Sequence, residues 1–446
     1  MRLPPGSSLP APIQTAQWVL RPVESLEQSF KRYGSTFHVH SLIFGHEIVF
    51  SRPETLKQIF TGDPNIYRAG EANKNLGILL GDSSVLVLDG EAHLRARKRL
   101  LPPFHGERMQ HYAEIMRDSA NRAIDRIAKG RRFELRPMMQ QITLDIILRA
   151  VMGLKSGLAF TELAGALTHL LELVQSPWGA IWMLDALQID LGPLTGWAAI
   201  KKAMQRADDL LYAHIRKRRG ESQTGSDVLA MLIESEDEQG KKMSDKEIKD
   251  ELLTLLVAGH ETSATSLCWA FEEILRSPGE QQKLREHTRD ILGKDPLQAE
   301  HLNQLIHVDA ALKESLRLHP PTAAVARRLS APVELEGYQI PAGYLIVPCM
   351  YLTHRLPDIY PDPNIFRPAR FIGKKPDPYE WLPFGGGTRR CLGMAFAMQE
   401  MKIVMAEMLR RLKLRLAVEK PLETTLRSFI YAPKGSTPLI ADHIEA

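Results

Sequence analysis

The strongest constraint on the fold is one uninterrupted helical stretch near the middle of the 446-residue chain. Ser244 and Glu247 match the capping box, in which an N-cap serine is followed three residues later by a glutamate. No proline follows before Pro278. The pattern predicts a helix of roughly thirty residues, about 50 Å long. Few helices of globular proteins are this long, so we expect it to cross the whole molecule.

Near the middle of this helix, residues 258–262 read Ala-Gly-His-Glu-Thr. A glycine inside a helix costs about 1 kcal/mol relative to alanine, so we expect Gly259 to serve packing or function. The Thr262 hydroxyl can hold water and the Glu261 carboxyl can transfer protons, although both could simply lie on a helix surface. The histidine and glutamate also begin the His-Glu-x-x-His pattern of zinc proteases, but Ala264 stands where that pattern needs its second histidine.

A glycine-rich loop surrounds Cys391, where residues 384–393 read Phe-Gly-Gly-Gly-Thr-Arg-Arg-Cys-Leu-Gly. Consecutive glycines permit a sharp turn that points backbone N–H groups at the sulfur. The proline-free run from Met394 to Leu412 predicts a helix. Its N-terminal dipole, with Arg389 and Arg390, is expected to favour the thiolate. Gly393, which ends the loop, has no side chain and therefore lets a flat ligand approach the backbone.

Composition narrows the class of protein. Hydrophobic residues make up 44% and charged residues 25%, as in a globular protein with a substantial core. The net charge of +4 is too close to balance to indicate nucleic-acid binding. Cys268, Cys349 and Cys391 are too few for a disulfide framework or a four-cysteine zinc site. Because the first residues hold no long apolar segment, we expect a soluble protein without a membrane anchor, and the three widely separated cysteines fit a reducing cytoplasm.

The loop around Cys391 resembles the haem-binding loop of the cytochrome P450 family, Phe-x-x-Gly-x-Arg-x-Cys-x-Gly. Phe384, Gly387, Arg389, Cys391 and Gly393 match every fixed position. A lone cysteine is more often a small buried hydrophobe, but five matches at fixed spacing argue against that interpretation. The resemblance implies haem b (iron protoporphyrin IX), with Cys391 as the axial thiolate ligand of the iron and the other matching residues at the cofactor.

Residues 258–262 resemble the oxygen-activating segment of the same family, Ala/Gly-Gly-x-Asp/Glu-Thr. The resemblance implies that Gly259 leaves space for dioxygen. It also implies that Thr262 holds water beside the oxygen site and that Glu261 relays protons inward from solvent.

Candidate partners for the haem propionates come from two places. His93 and Arg97, four residues apart, share a face of the basic helix predicted over residues 90–101. A basic helix is more often a solvated surface, but the family places a propionate-binding pair at this point, and an anionic cofactor needs cationic partners. Arg327 lies where the family often has another propionate ligand. Its neighbour Arg328 is the alternative.

A structural clamp is implied by Glu314 and Arg317, in a helix predicted over residues 308–319, and by Arg370 farther along. A Glu-x-x-Arg pair alone carries little information, because such pairs are common on helix surfaces. In the resembled family, however, this pair meets an arginine of a Pro-Glu-Arg-Phe segment beneath the haem. Ala369 replaces the glutamate of that segment here.

Two further segments bear on the substrate. The segment Ser176–Ile200 contains Trp178, Trp182 and Trp197 with several aliphatic residues and almost no charge. It is either core packing or a mobile apolar lid over a pocket. By resemblance, residues 322–325 line the substrate pocket, and the turn near Phe429 contributes to it. These small and apolar residues favour an apolar substrate.

The resemblance therefore implies one mainly α-helical haem domain over residues 1–446, with a smaller β region on its N-terminal side and no fused reductase. It also implies a member of bacterial type, because eukaryotic members usually carry the membrane anchor that we do not expect here. It implies a monooxygenase that hydroxylates or epoxidises an apolar small molecule such as a fatty acid, a terpenoid or a polyketide-like compound. Electrons would come from a separate ferredoxin or flavodoxin with its reductase. Four cations near the expected proximal face would attract an acidic partner: Arg95, Lys98, Arg99 and Arg390.

Two alternatives remain open at this stage. A peroxide-driven enzyme of the same family would need no electron-transfer partner, although such members generally lack the acid and threonine found at Glu261 and Thr262. A haem sensor or electron-transfer protein is a different class, against which the oxygen-activating segment and the apolar pocket argue.

Overall fold

The computed structural model describes residues 2–106, 108–175, 196–221 and 225–444. Helices form most of its regular structure, as the sequence predicted. In chain order the helices are α1 (Ala11–Leu20), α2 (Pro22–Tyr33), α3 (Pro53–Thr61), α4 (Ala69–Ala72), α5 (Gly77–Leu80), α6 (Gly90–Leu100), α7 (Arg108–Ile124), α8 (Leu135–Ala150), α9 (Leu158–Val174), α10 (Trp197–Gly220), α11 (Val228–Glu234), α12 (Asp245–Arg276), α13 (Glu280–Leu292), α14 (Ile306–Leu318), α15 (Met350–Thr353) and α16 (Met394–Arg411).

The smaller β portion centres on one mixed sheet with the strand order β1-β2-β8-β5-β3. It joins the hairpin of β1 and β2, which is close to the N-terminus, to β5 and β8, which follow α14. A three-stranded sheet (β4-β12-β9) and two separate hairpins (β6-β7 and β10-β11) complete it. The strands are β1 (Thr36–Ser41), β2 (Gly45–Phe50), β3 (Tyr67–Arg68), β4 (Arg132–Glu134), β5 (Arg327–Leu329), β6 (Val333–Leu335), β7 (Tyr338–Ile340), β8 (Leu345–Pro348), β9 (Leu412–Leu416), β10 (Thr424–Arg427), β11 (Ile430–Pro433) and β12 (Pro438–Ile444).

Helix α12 is the long helix that the sequence predicts, and it has 32 residues. Both halves of its capping box form: the Glu247 N–H donates to Ser244 Oγ at 3.2 Å, and the Ser244 N–H donates to Glu247 Oε2 at 2.8 Å. The helix ends at Arg276, two residues before Pro278. Most of its side chains are buried on several faces, because α8, α10, α14 and α16 all pack against it. The site is built on this central helix.

The core has three parts. The largest surrounds α12 and includes apolar side chains of α7, α8, α14 and α16. The other two lie on opposite faces of the five-stranded sheet, because neighbouring strand residues alternate between faces. Ile48 and Ile346 belong to one face, and Val49 and Val347 to the other. The second face is partly covered by α2, through side chains such as Phe30.

Helices α1 and α2 had not been predicted from the sequence. Side chains of α1 satisfy backbone groups at the open edge of β1: Gln14 Oε1 accepts from the His40 N–H at 3.2 Å, and Thr15 Oγ1 accepts from the Leu42 N–H at 2.9 Å. An edge strand otherwise exposes unpaired N–H and C=O groups. This docking brings both helices to one side of the cavity described below.

Other differences from the sequence predictions are local. The two helices predicted between Glu107 and Gly153 are α7 and α8, with Gly130 in the break between them. Pro137 lies in the first turn of α8, where its missing N–H costs nothing. The lid prediction for Ser176–Ile200 falls mainly on residues 176–195, which lie outside the described residues. Its end is described: Trp197 and Ile200 are buried in α10. None of the helices in the described part of the chain has the length and apolar character needed to cross a membrane.

Candidate active site

A cavity of about 1170 Å³ joins most of the residues singled out in the sequence. Gly259 and Thr262 of α12 line it, and so does Cys391. It continues between the five-stranded sheet and the helices α1 and α2. Ala323 and Phe429 line it as predicted.

The Cys391 loop turns sharply before α16. Gly385 and Gly387 adopt φ angles of +68° and +63°, a left-handed region that favours glycine. A Cβ atom on Gly387 would also overlap the carbonyl oxygen of Phe60. The turn is closed by the Cys391 N–H, which donates to the Phe384 carbonyl oxygen at 2.9 Å. Backbone angle therefore favours glycine at both positions, and close packing requires it at Gly387 as well.

The Cys391 sulfur is held where opposing effects act on its protonation. Burial raises the pKa of the thiol, while a hydrogen bond from the Gly393 N–H and the charges of Arg97 and Arg390 lower it. Cys391 itself is exposed to the cavity, so the pKa is raised by the surrounding protein, which separates the sulfur from bulk water. A coordinated metal ion deprotonates a thiol outright, so a bound iron would reverse this balance. Gly393 borders open space, since a Cβ there would meet nothing within 4 Å.

Three basic side chains line the same cavity: His93, Arg97 and Arg327. Within the described residues, Arg97 has no hydrogen bond or ion pair, and Arg327 donates only to its neighbour's carbonyl, Ala326 O, at 2.8 Å. Burial and the nearby Arg389 and Arg97 lower the pKa of His93 to about 4, so its ring is neutral. Arg327 is thus a buried cation without a carboxylate partner, which is costly. Together with the partly buried Arg97 and with His93, it fits the carboxylates of a planar cofactor. The residues present therefore fit haem.

The choice between Arg327 and Arg328 follows from strand geometry. Neighbouring residues of β5 point to opposite faces of the sheet. Arg327 is buried and lies over the Phe60 ring, 5.5 Å from its centre. Arg328 does not line the cavity and donates to Gly343 O at 2.7 Å. Arg327 is the propionate partner that the geometry favours.

Arg389 lines the cavity but is already engaged by an acidic partner that sequence reasoning missed. It donates to Asp89 Oδ1 at 2.7 Å, to Val85 O at 3.0 Å and to Leu88 O. Asp89 also accepts the backbone N–H groups of Gly70 and Glu71, each at 2.8 Å. Arg389 thus fastens the cysteine loop to the segment before α6. Nothing local in the sequence pairs two residues 300 positions apart.

On the α12 side, Thr262 faces the cavity and its hydroxyl donates to Ala258 O at 2.6 Å. Gly259 also lines the cavity, and a Cβ there would come within 2.9 Å of the Ile147 side chain of α8. The glycine therefore has a packing reason as well as a place at the site, because it lets α8 approach α12 closely.

Glu261 points away from the cavity toward α8. Its two oxygens accept from Arg136 Nη2 at 2.6 Å and from Gln140 Nε2 at 2.8 Å, and the residue is 1% exposed. It is therefore neither a helix-surface residue nor a lining residue of the cavity. A proton relay through Glu261 requires this ion pair to open. Arg136 and Gln140, one turn apart on α8, are the partners that sequence reasoning missed.

The predicted clamp is present as a hydrogen-bonded group. Arg317 donates to both Glu314 oxygens, at 2.7 and 2.9 Å, and Arg370 Nε donates to Glu314 Oε1 at 3.1 Å. Arg317 also donates to His354 O and Pro363 O, each at 2.7 Å. Glu314 and Arg317 are fully buried. The clamp joins α14 to the chain segment that leads toward the cysteine loop.

The four cations predicted to attract an acidic partner protein are mostly paired with carboxylates of this chain. Lys98 pairs with Glu238 at 2.8 Å, Arg99 with Asp237 at 3.1 Å, and Arg95 with its helix neighbour Glu91 at 3.5 Å. Arg390 alone of the four has no ion pair within the described residues. Two of these carboxylates, Asp237 and Glu238, come from the turn before α12. Composition alone could not reveal this pairing.

The arrangement as a whole would suit a planar cofactor, because Cys391 and the Thr262 hydroxyl line one cavity together with basic side chains that have no ion pair in the part of the chain that the structure describes. Comparison with known proteins agrees. Residues 4–438 match the family model described as cytochrome P450. The chain is 37% identical to cytochrome P450 135B1 of Mycobacterium tuberculosis over 97% of this chain and 90% of that protein. It is 34% identical to cytochrome P450 138 of the same organism, over 97% and 95%.

A solved structure, titled retinoic acid bound cyanobacterial CYP120A1, superposes with a TM-score of 0.85 at 26% identity over 99% of both chains. The chain belongs to the cytochrome P450 family, and it is a haem monooxygenase. The mainly helical fold with a smaller β portion is confirmed.

Proposed function

We propose that this monooxygenase oxidises an apolar small molecule, by hydroxylation or epoxidation, with dioxygen and electrons from separate proteins. The observation that carries the proposal is the single cavity lined by Cys391, by Thr262 and by the small apolar residues Ala323 and Ala324. A fatty acid, a terpenoid or a polyketide-like compound suits such walls. We place the enzyme in the cytoplasm, with a ferredoxin or flavodoxin and its reductase as partners.

Haem b is the proposed cofactor. Cys391 would hold its iron, Gly393 would leave room for its plane, and His93, Arg97 and Arg327 would bind its propionates. When bound, haem supplies the activation of dioxygen. The neutral His93 would donate one hydrogen bond to a carboxylate, and the two guanidiniums would donate charge-assisted ones. Arg389 would act mainly by positioning the loop, because Asp89 already pairs with it.

Thr262 is the hydroxyl positioned to hold water beside the reacting oxygen. Its own proton goes to Ala258 O in the structure, which leaves the oxygen's lone pairs free to accept from a water in the cavity. Glu261 would receive protons from outside and pass them on when the Arg136 pair opens. In the closed pair it holds α8 against α12.

The test combines a spectrum with turnover. We expect the reduced carbonyl complex of the purified protein to show the Soret band of thiolate ligation, and NAD(P)H with surrogate ferredoxin and reductase to support oxygenation of members of an apolar panel. An imidazole-type band in folded protein would contradict the ligation by Cys391. Turnover with peroxide alone, but not with reductant, would favour the peroxygenase. A thiolate band without any oxygenated product would favour a sensor.

Replacement of Thr262 by alanine should uncouple the reaction. Without the hydroxyl that holds water, we expect a several-fold rise in hydrogen peroxide released per NAD(P)H and a matching fall in product, with haem content unchanged. Thr262→Ser, which keeps the hydroxyl, should retain most of the coupling. Equal coupling in the alanine variant and the unsubstituted enzyme would exclude the proposed role of Thr262.

A further inference from the structure

We infer that Glu47 selects substrates whose remote end carries a hydrogen-bond donor, above all a cationic one, and rejects substrates that end in a carboxylate. The inference rests on the proposed function and sharpens its substrate class. It concerns the arm of the cavity between the five-stranded sheet and α1 and α2.

Strand register places Glu47 next to aliphatic side chains of the sheet face that lines that arm, while polar side chains such as Gln17 and Gln28 line it from α1 and α2. Glu47 pairs with Leu345 and Val49 pairs with Val347 in the parallel β2–β8 ladder. These four side chains project from the same face of the sheet, because partners in a ladder and residues two apart in a strand share a face. All four line the cavity that also reaches Cys391. The Glu47 carboxyl group thus lies next to aliphatic side chains, where a ligand in the cavity can contact it.

Only one Glu47 oxygen is satisfied by the protein. Oε1 accepts from the Ser41 hydroxyl at 2.6 Å. Within the described residues, Oε2 has no hydrogen bond, and the carboxyl group has no ion pair. The side chain is only partly covered because it borders the cavity. A carboxyl group removed from bulk water needs hydrogen-bond or ion-pair partners. A ligand in the cavity can therefore donate a hydrogen bond to Oε2.

The nearest charge on this sheet face does not neutralise Glu47. Arg328 lies two strands away, since both residues are register partners of Leu345, a separation of about 10 Å by strand spacing. Its guanidinium donates to Gly343 O. Arg21, between α1 and α2, and Arg32 of α2 also line the cavity, but both are exposed, so water and salt screen their charge.

The pKa of the Glu47 carboxyl group is consistent with a site that binds a hydrogen-bond donor of a ligand. Burial raises its pKa to about 7, against the Ser41 hydrogen bond and the Arg328 charge, which lower it. A cationic ligand would favour the carboxylate and gain a charge-assisted hydrogen bond. A neutral alcohol could donate to Oε2. A ligand carboxylate would face a like charge or force protonation of one partner.

The experiment compares three ligands that share a decyl tail: decylguanidinium, decan-1-ol and decanoate. A guanidinium has no free lone pair with which to bind the iron. Dissociation constants are measured on the haem-loaded enzyme by calorimetry and by the substrate-induced spin shift, below the ligands' micelle concentrations. The unsubstituted enzyme should bind decylguanidinium tightest and decanoate weakest. Glu47→Gln should weaken decylguanidinium about ten-fold or more and bring the three constants closer together.

Two further variants separate recognition from structure. Ser41→Ala removes the hydroxyl that orients Glu47 and should reduce the preference without abolishing it. Glu334→Gln changes an exposed strand glutamate outside the cavity and should leave all three constants unchanged. If Glu47 merely supports the hairpin through Ser41, its substitution should weaken all three ligands equally, which would overturn the inference.

Two other results would also overturn it: binding of decanoate as tight as that of decylguanidinium, or no measurable binding of decylguanidinium. Failure of the proposed function would be recognised separately, because the reduced carbonyl spectrum is recorded before any ligand is added. A protein with the thiolate band but without the head-group preference contradicts only the role of Glu47.

Discussion

Replacement of Cys391 by alanine should abolish the thiolate Soret band of the reduced carbonyl complex and lower monooxygenase turnover by more than about 1000-fold, or ~4 kcal/mol of transition-state stabilisation. Within the described residues, Cys391 is the one cysteine that lines the cavity. No other side chain of the loop can supply a thiolate to a metal at this point. Its loss removes both the ligand and the electron donation that a cysteine gives to haem iron.

The matched control is Cys268→Ala. Cys268 is buried in α12, and burial raises its pKa far above the ordinary range, so it remains an inert thiol. The control should keep the thiolate band and lose only some stability. Carbonyl spectra and haem content of both variants give the comparison. A thiolate band that survives in Cys391→Ala would show that another cysteine is the ligand.

Replacement of Arg317 by methionine should produce the largest loss of stability among the variants considered. Arg317 is fully buried and donates four hydrogen bonds, two of them to the equally buried Glu314. Removing one member of a buried ion pair leaves the other charge without its partner, which typically costs about 3–5 kcal/mol. Arg370 remains to pair with Glu314, so part of the charge stays compensated. We also expect faster haem loss, because the clamp orders the segment before the cysteine loop.

The measurement is the midpoint of thermal unfolding together with the rate of haem transfer to an acceptor protein. Arg367→Met serves as the control, since Arg367 pairs with Asp362 at 2.9 Å where both side chains are largely exposed. Such surface pairs contribute about 0–1 kcal/mol. If the two variants lost equal stability, the clamp would have no structural importance.

The features that the sequence predicted correctly are those coded within a short stretch. The capping box of Ser244 and Glu247 and the absence of proline define α12 without any distant partner. The glycines before Cys391 define a turn for the same reason. The clamp could not be predicted from a local pattern alone. Glu314 and Arg317 are one helical turn apart, but only the family resemblance connected them to Arg370.

The contacts that were missed join residues far apart in the chain. Arg136 lies 125 residues before Glu261, and no local pattern says that α8 will pack against that face of α12. The same holds for Asp89 and Arg389. The direction of the Cys391 pKa shift was also beyond the sequence, because the loop residues reveal the groups that stabilise a thiolate but not how far the folded protein around the cavity separates the sulfur from bulk water.

Asp89 gives the molecule an order of assembly. A chain is made from its N-terminus, so Asp89 and the amides of Gly70 and Glu71 exist well before Arg389, which follows 300 residues later. The early segments can gather around the carboxylate, but their last partner arrives only with the cysteine loop. We therefore expect the contact between the segment before α6 and the loop that carries Cys391 to form late, and a cofactor to be bound only near the end of folding.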